Sequence, residues 1–216
     1  WRPYDEILKT ALARTCKRWG IDYREEGQLY YDAVPTWGPH ADVPAGLSKI
    51  ADKIPLVIFS NASDSQIMSN VDKLGAPFHK VFTAEQAQAY KPRLAAFEFM
   101  LDNLGCGPED ILHVSSSFRY DLMPAHDMKI KNKAFVARGH EQPGNAAFNY
   151  HQISDIGGLA GLVEAAEQGP AGQAGRLAKQ LVGGGVGFFE FVDGAFKNEH
   201  RLGGHLEQQA VTGLDL

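Results

Sequence analysis

Three polar clusters in this 216-residue chain combine residue types that could do chemistry. Ser60-Asn61 follows the apolar run Pro55-Leu56-Val57-Ile58-Phe59. Lys91 lies in Tyr90-Lys91-Pro92. Ser115-Ser116-Ser117 closes another apolar run and leads through Phe118-Arg119-Tyr120 to Asp121. A hydroxyl and an amide just ahead of a helix, whose first N–H groups have no intrahelical acceptor, make a pocket for an anion. A lysine held by the ring of the following proline can project its ammonium and keep a nearby carboxylate ionised. Hydroxyls at a strand end, with an acid in the next helical turn, form a polar cluster at the edge of a core. Each also has an ordinary reading when taken singly. Ser60 and Asn61 are common helix caps, Lys91 reads as a solvated surface lysine, and Asp121 as a solvated acid beside capping serines.

These clusters would be positioned by strands alternating with helices. Residues 55–59, 81–82, 111–115 and 133–137 read as strands, the first of them a continuous apolar run of the kind buried in a parallel sheet. Residues 62–74, 92–104 and 118–127 read as the helices between them. Alternation of this kind predicts a doubly wound parallel, Rossmann-like α/β sheet, whose ligands bind at the carboxyl ends of the strands. All three clusters fall at such ends. Upstream, Ile7, Leu8, Ala11, Leu12 and Cys16 share one face of a helix over 4–19 that Gly20 stops. A polar helix is expected over about 24–33 and another over 43–52, the latter opened by Asp42 and Pro44. Beyond residue 163 the chain turns rich in glycine and alanine and reads as a mobile tail.

Composition narrows the classes. Hydrophobic residues are 44% and charged residues 22%, with a net charge of -5, which argues against a nucleic-acid binder. No apolar run is long enough to span a bilayer. Cys16 and Cys106 are far apart and read as reduced thiols of a cytoplasmic protein. His113, His126, His140 and His151 show no metal-ligand spacing and read as core or surface residues. The first residue is Trp1, which suggests a processed or truncated start.

The order and spacing of the clusters say more than any one of them. Strand-Ser-Asn, a Lys-Pro thirty residues on, then a strand ending in small polar residues with a following Asp resembles the second, third and fourth motifs of the haloacid dehalogenase superfamily. Within it, IFSNAS, YKP and HVSSSFRYD are similar to the 2-haloacid dehalogenase branch, over about residues 1–162. WRPYDEILKTALARTCKRWGI resembles the later part of that branch's helical cap. The resemblance implies a partial cap over 1–38, an α/β hydrolase core over 39–162 and a Gly-rich tail of uncertain structure over 163–216. It implies that Ser60 and Asn61 bind the substrate carboxylate and assist at the halide side. It further implies that Lys91 compensates the charge of an aspartate nucleophile, and that Ser115, Ser117 and Asp121 support that nucleophile and the hydrolytic water. The reaction would be hydrolysis of short 2-haloacids to 2-hydroxyacids through an aspartyl ester, with no cofactor, metal, nucleic acid or membrane, and with a homodimer in keeping with relatives of this kind. Superfamily phosphatases usually carry Gly-Asp where this chain has Ser115-Ser116, and a missing carboxylate weakens a magnesium site.

The chain departs from the pattern in four places. Phe97 stands where a tyrosine often follows the lysine. The interval from the serines to Asp121 is one residue longer than in some members. The first strand, with its aspartate, is expected upstream of Trp1, as is a cap arginine. That strand is central to the sheet, so its neighbours are expected to lose ladder partners and the chain as written to be inactive. A tail segment, Phe188–Phe196, could fill the gap as in a circular permutation, with Phe191 at the nucleophile position. A phosphatase of the same superfamily and a non-catalytic remnant are the alternatives.

Overall fold

The structure, a computed structural model, describes residues 1–22, 33, 36–168 and 180–184. Its frame is one six-stranded sheet of β1 (Leu56–Ser60), β2 (Lys80–Thr83), β3 (Ile111–Ser115), β4 (Asn132–Val136), β5 (His151–Ile153) and β6 (Gln180–Gly184). The order is β2-β1-β6-β3-β4-β5, and every neighbouring pair is parallel. Helices cover both faces: α2 (Val43–Ser48), α3 (Asp64–Val71) and α7 (Leu159–Gln168) on one, α5 (Leu94–Leu104) and α6 (Met123–Asp127) on the other, with α1 (Tyr4–Trp19) and the single turn α4 (Ala84–Ala87) beside them.

The pleat sorts the strand residues between two cores. Leu56, Ile58, Leu112, Val114, Ala134 and Val136 pack with Val43 and Leu47 of α2, Ile67 of α3 and Leu159 and Val163 of α7. Val57, Phe59 and Ile111 pack on the other face with Ala96, Phe97, Met100 and Leu101 of α5 and Ala125 of α6. Each large side chain removed from water in this way contributes about 1.5–3 kcal/mol. Gly46 lets α2 reach its place, because a Cβ there would come within 2.8 Å of the Ile156 backbone. α1 meets the core through aromatic rings: Tyr90 stacks on Trp1 at 6.4 Å between centroids and donates its hydroxyl to the Arg2 carbonyl. Among the described residues, no helix is long and apolar enough to cross a membrane.

The doubly wound parallel sheet is as expected, with small shifts in element ends. The helix expected over 43–52 ends at Ser48. The one expected from Pro92 starts at Leu94, since Arg93 keeps an extended backbone. The helix expected over 24–33 lies mostly outside the described residues. β5 and α7 had no reading of their own; β5 is three residues long and its burial does not alternate, so period-two patterning had nothing to register.

The larger correction concerns the centre of the sheet. The slot between β1 and β3, expected to be vacant for want of an upstream strand, is filled by β6 from the glycine-rich tail. Leu181 pairs with Leu56 and Leu112, Val182 with Val57 and His113, and Gly183 with Ile58 and Val114. The tail therefore contributes a central strand. That strand is 180–184 and not Phe188–Phe196, which lies outside the described residues.

Proline at position 182 would remove a ladder N–H in mid-sheet, a place where proline is essentially not found. Val182→Pro is therefore expected to lower the urea unfolding midpoint sharply. An unchanged midpoint would remove β6 from the sheet.

Candidate active site

The carboxyl ends of β1 and β3 bring the expected residues together around one buried carboxylate. Asp121 is fully buried, as is Lys91 to within 2%. The Lys91 Nζ lies 2.7 Å from Asp121 Oδ1 and donates also to the Phe59 carbonyl, 2.9 Å away at the end of β1. Ser115 Oγ donates to Asp121 Oδ2 at 3.0 Å. His113 Nε2 stands 3.0 Å from Oδ1. The readings of Lys91 as a surface lysine and Asp121 as a solvated acid are thus excluded. An unpaired charge would not survive such burial, and here the two charges face each other.

Electrostatics follow from that pairing. Burial by itself raises the Asp121 carboxyl, but the Lys91 ammonium and the His113 hydrogen bond outweigh it and bring it down to about 2. His113 moves the other way: burial lowers it, against the pull of Asp121, so the ring is neutral at neutral pH.

Local structure explains how the groups are held. Asn61 brackets the Lys91 backbone, accepting from its N–H at 2.8 Å and donating to its carbonyl at 3.0 Å. The amide that seemed free to bind substrate instead fixes the lysine. Ser60 Oγ accepts from Ala62 N–H at 3.1 Å, which leaves its own proton to donate. The anion pocket expected from free N–H groups ahead of α3 is largely closed from within. Ser63 N–H reaches the Gln66 side chain at 3.5 Å, and Asp64 N–H is taken by Glu85 Oε2 at 2.8 Å.

Ser117 acts through its backbone and as a cap. Its N–H donates to Ser115 Oγ at 3.1 Å and its hydroxyl accepts from Tyr120 N–H at 3.3 Å. Asp121 then sits in a π-helical turn, Phe118–Leu122, closed by Leu122 N–H to the Ser117 carbonyl at 3.2 Å. Such a turn takes up one residue more than α-helix allows. The extra residue between the serines and Asp121 is absorbed there, and the carboxylate still reaches Lys91. Glu141 accepts from Phe118 N–H and Arg119 N–H at the start of the turn.

His113 is the site residue that the sequence reading passed over as core or surface. Its signal was its place two residues before Ser115 on the same strand, hence on the same face. Phe97, fully buried, packs its ring 5.6 Å from the His113 ring. Across the slot, Phe59 pairs with Gly184 of β6. By the pleat, position 184 belongs to the face that carries Phe59, Lys91 and His113. Among the described residues, no group of three His, Cys, Asp or Glu could hold a metal ion.

Solved structures share this arrangement of strands and helices. An L-2-haloacid dehalogenase from Xanthobacter autotrophicus, with chloropropionic acid covalently bound, superposes with a TM-score of 0.64 at 20% identity, over 76% of this chain and 77% of that one. The fold is that of the L-2-haloacid dehalogenases. The dehalogenase PA0810 gives 0.65 at 20% identity, over 76% of this chain and 73% of its own. A HAD phosphatase from Thermococcus onnurineus gives 0.54 at 21%, over 68% and 67%. No family model and no curated protein matches the sequence.

Asp121, held low by Lys91, contributes stability above the ordinary carboxylate range that is lost as pH falls toward about 2. Lys91→Met removes the cation and leaves a buried carboxylate whose burial now raises it. We expect a loss of about 3–5 kcal/mol at neutral pH. The sign of the pH dependence reverses, so the variant is penalised less at about pH 5 than at about pH 7. Urea unfolding at both pH values checks this, and an equal loss at each would contradict it.

Proposed function

We propose that this chain carries the catalytic framework of a hydrolase of the haloacid dehalogenase kind, acting on short 2-haloacids to give 2-hydroxyacids. The observation that carries the reading is the buried Lys91–Asp121 pair, braced by Ser115 at the rim of the sheet. In the reaction proposed, a carboxylate at the end of the central strand attacks carbon two and expels halide, and water then cleaves the resulting ester. This splits one hard displacement into two easier steps. Lys91 offsets the charge of that carboxylate, the Ser60 hydroxyl is a donor for the substrate carboxylate, and Asn61 keeps Lys91 in place. α1, against Tyr90, is the part of a cap that covers the cleft.

A phosphatase is the second reading, favoured by the surviving Asp121 carboxylate and by the likeness to a HAD phosphatase. The donor set favours dehalogenation. Asp121 Oδ1 is occupied by Lys91 and His113, and Oδ2 by Ser115, so a magnesium ion would have to displace an ammonium.

In the reaction proposed the nucleophile sits on the central strand, and here β6 holds that slot. None of Gln180, Leu181, Val182, Gly183 and Gly184 offers a carboxylate. We therefore expect the purified chain to release no chloride from 2-chloropropionate. Gly184→Asp, placing a carboxylate on the Lys91 face, is expected to gain chloride release, whereas Gly183→Asp, on the opposite face, gains none. Magnesium-dependent phosphate release from a phosphomonoester, with no chloride release by Gly184→Asp, would favour the phosphatase. Silence in both assays from a folded Gly184→Asp protein would favour a non-catalytic module.

A further inference from the structure

His113 is a buried titratable group that the proposed reaction does not use. It reaches the cluster from below, from the middle of β3, with no exposed surface. Its Nε2 meets Asp121 Oδ1 at 3.0 Å, and among the described residues its Nδ1 has no hydrogen-bond partner. The charged groups around it are Asp121, Lys91 and Lys133, the last paired with it in register across β3 and β4.

These contacts favour one protonation state, which leaves the fewest polar atoms unmet. Asp121 is ionised and can only accept, so the proton of a neutral ring must sit on Nε2. The other tautomer would set two lone pairs against each other at 3.0 Å and bury an N–H with no acceptor. An imidazolium would add a third cation beside Lys91 and Lys133 in a site closed to water. With the proton on Nε2, an unprotonated Nδ1 faces its surroundings near the Phe97 ring, at the smaller cost of an unfilled acceptor.

We propose that His113, as the Nε2–H tautomer, is a positioning residue that orients the Asp121 carboxylate and through it the Lys91 ammonium. Lys91 and His113 share Oδ1 while Ser115 holds Oδ2, so the carboxylate cannot turn about its Cβ–Cγ bond without losing a donor. Lys91 is thereby kept against the Phe59 carbonyl at the strand end, beside position 184. Serine and lysine alone would leave Oδ1 with a single mobile partner on a long side chain. The inference stands on the cluster's geometry and holds whether or not the dehalogenase reading does.

The test uses the full chain and two variants. His113→Gln keeps an N–H donor on a planar amide; His113→Phe keeps a ring and removes the donor. Nitrogen-15 spectra of the intact protein are expected to show the neutral Nε2–H pattern from about pH 5 to about pH 8, without the titration of a free histidine. Carbon-13 titration of the Asp121 carboxyl is expected to move up by about one pH unit in His113→Phe, a tenfold change in its proton affinity. His113→Gln is expected to bring it back toward the parent value. A packing role would leave the Asp121 titration in place in both variants, and that result overturns the proposal. A protonated ring or the Nδ1–H tautomer in the parent spectrum overturns it as well, and this reading needs no variant to fold.

Discussion

Two opposite charges, buried together at the end of a strand, set the terms for everything around them. Neither Lys91 nor Asp121 could be taken from water alone, since an isolated ion in an apolar interior is displaced toward its neutral form. Together they are tolerable only if the remaining protons and lone pairs are also met. The surrounding structure meets them. Phe59 offers a carbonyl from β1, Ser115 a hydroxyl from β3, His113 a ring nitrogen, and Asn61 fixes the backbone from which the lysine extends. The π-turn is the local distortion that brings Asp121 to this point. Several elements far apart in sequence thus converge on one carboxylate group.

The same rim shows how intramolecular acids take the place of ligands. Glu85 accepts the first amide of α3, and Glu141 accepts two amides at the start of the π-turn. Backbone groups that look available in a linear reading are closed by carboxylates from other parts of the chain. Even the Ser60 hydroxyl and the Lys91 ammonium lie on buried residues, the ammonium held between Asp121, the Phe59 carbonyl and the Phe59 ring.

Much of this was legible before any coordinates. The apolar runs announce buried parallel strands, and the polar clusters at their ends fall on one rim because all the strands run the same way. Lys91 and Asp121 could be paired only through their order and spacing, since each alone looks like a surface residue. His113 was obscured because buried histidines are ordinary in cores, and nothing local marks one that faces a carboxylate. Glu85 and Glu141 act across 21 and 23 residues, contacts that no short window contains. β6 was the hardest: Gln-Leu-Val-Gly-Gly has one β-branched side chain, no aromatic one and two glycines, a weak strand signal. It belongs to the sheet because both neighbours offer it a ladder.

The position of that strand has a consequence for how the molecule is made. β1 with β2, and β3 with β4 and β5, are each complete once residue 153 has left the ribosome, but their only connection within the sheet is β6. Until residues 180–184 arrive, the nascent chain carries two half-sheets with open inner edges, of the sort that pair promiscuously with other chains. Closure joins residues separated by roughly 120 positions, the kind of distant contact that slows folding. A protein built in this order depends on residues 180–184 to join the two halves that carry Lys91 and Asp121.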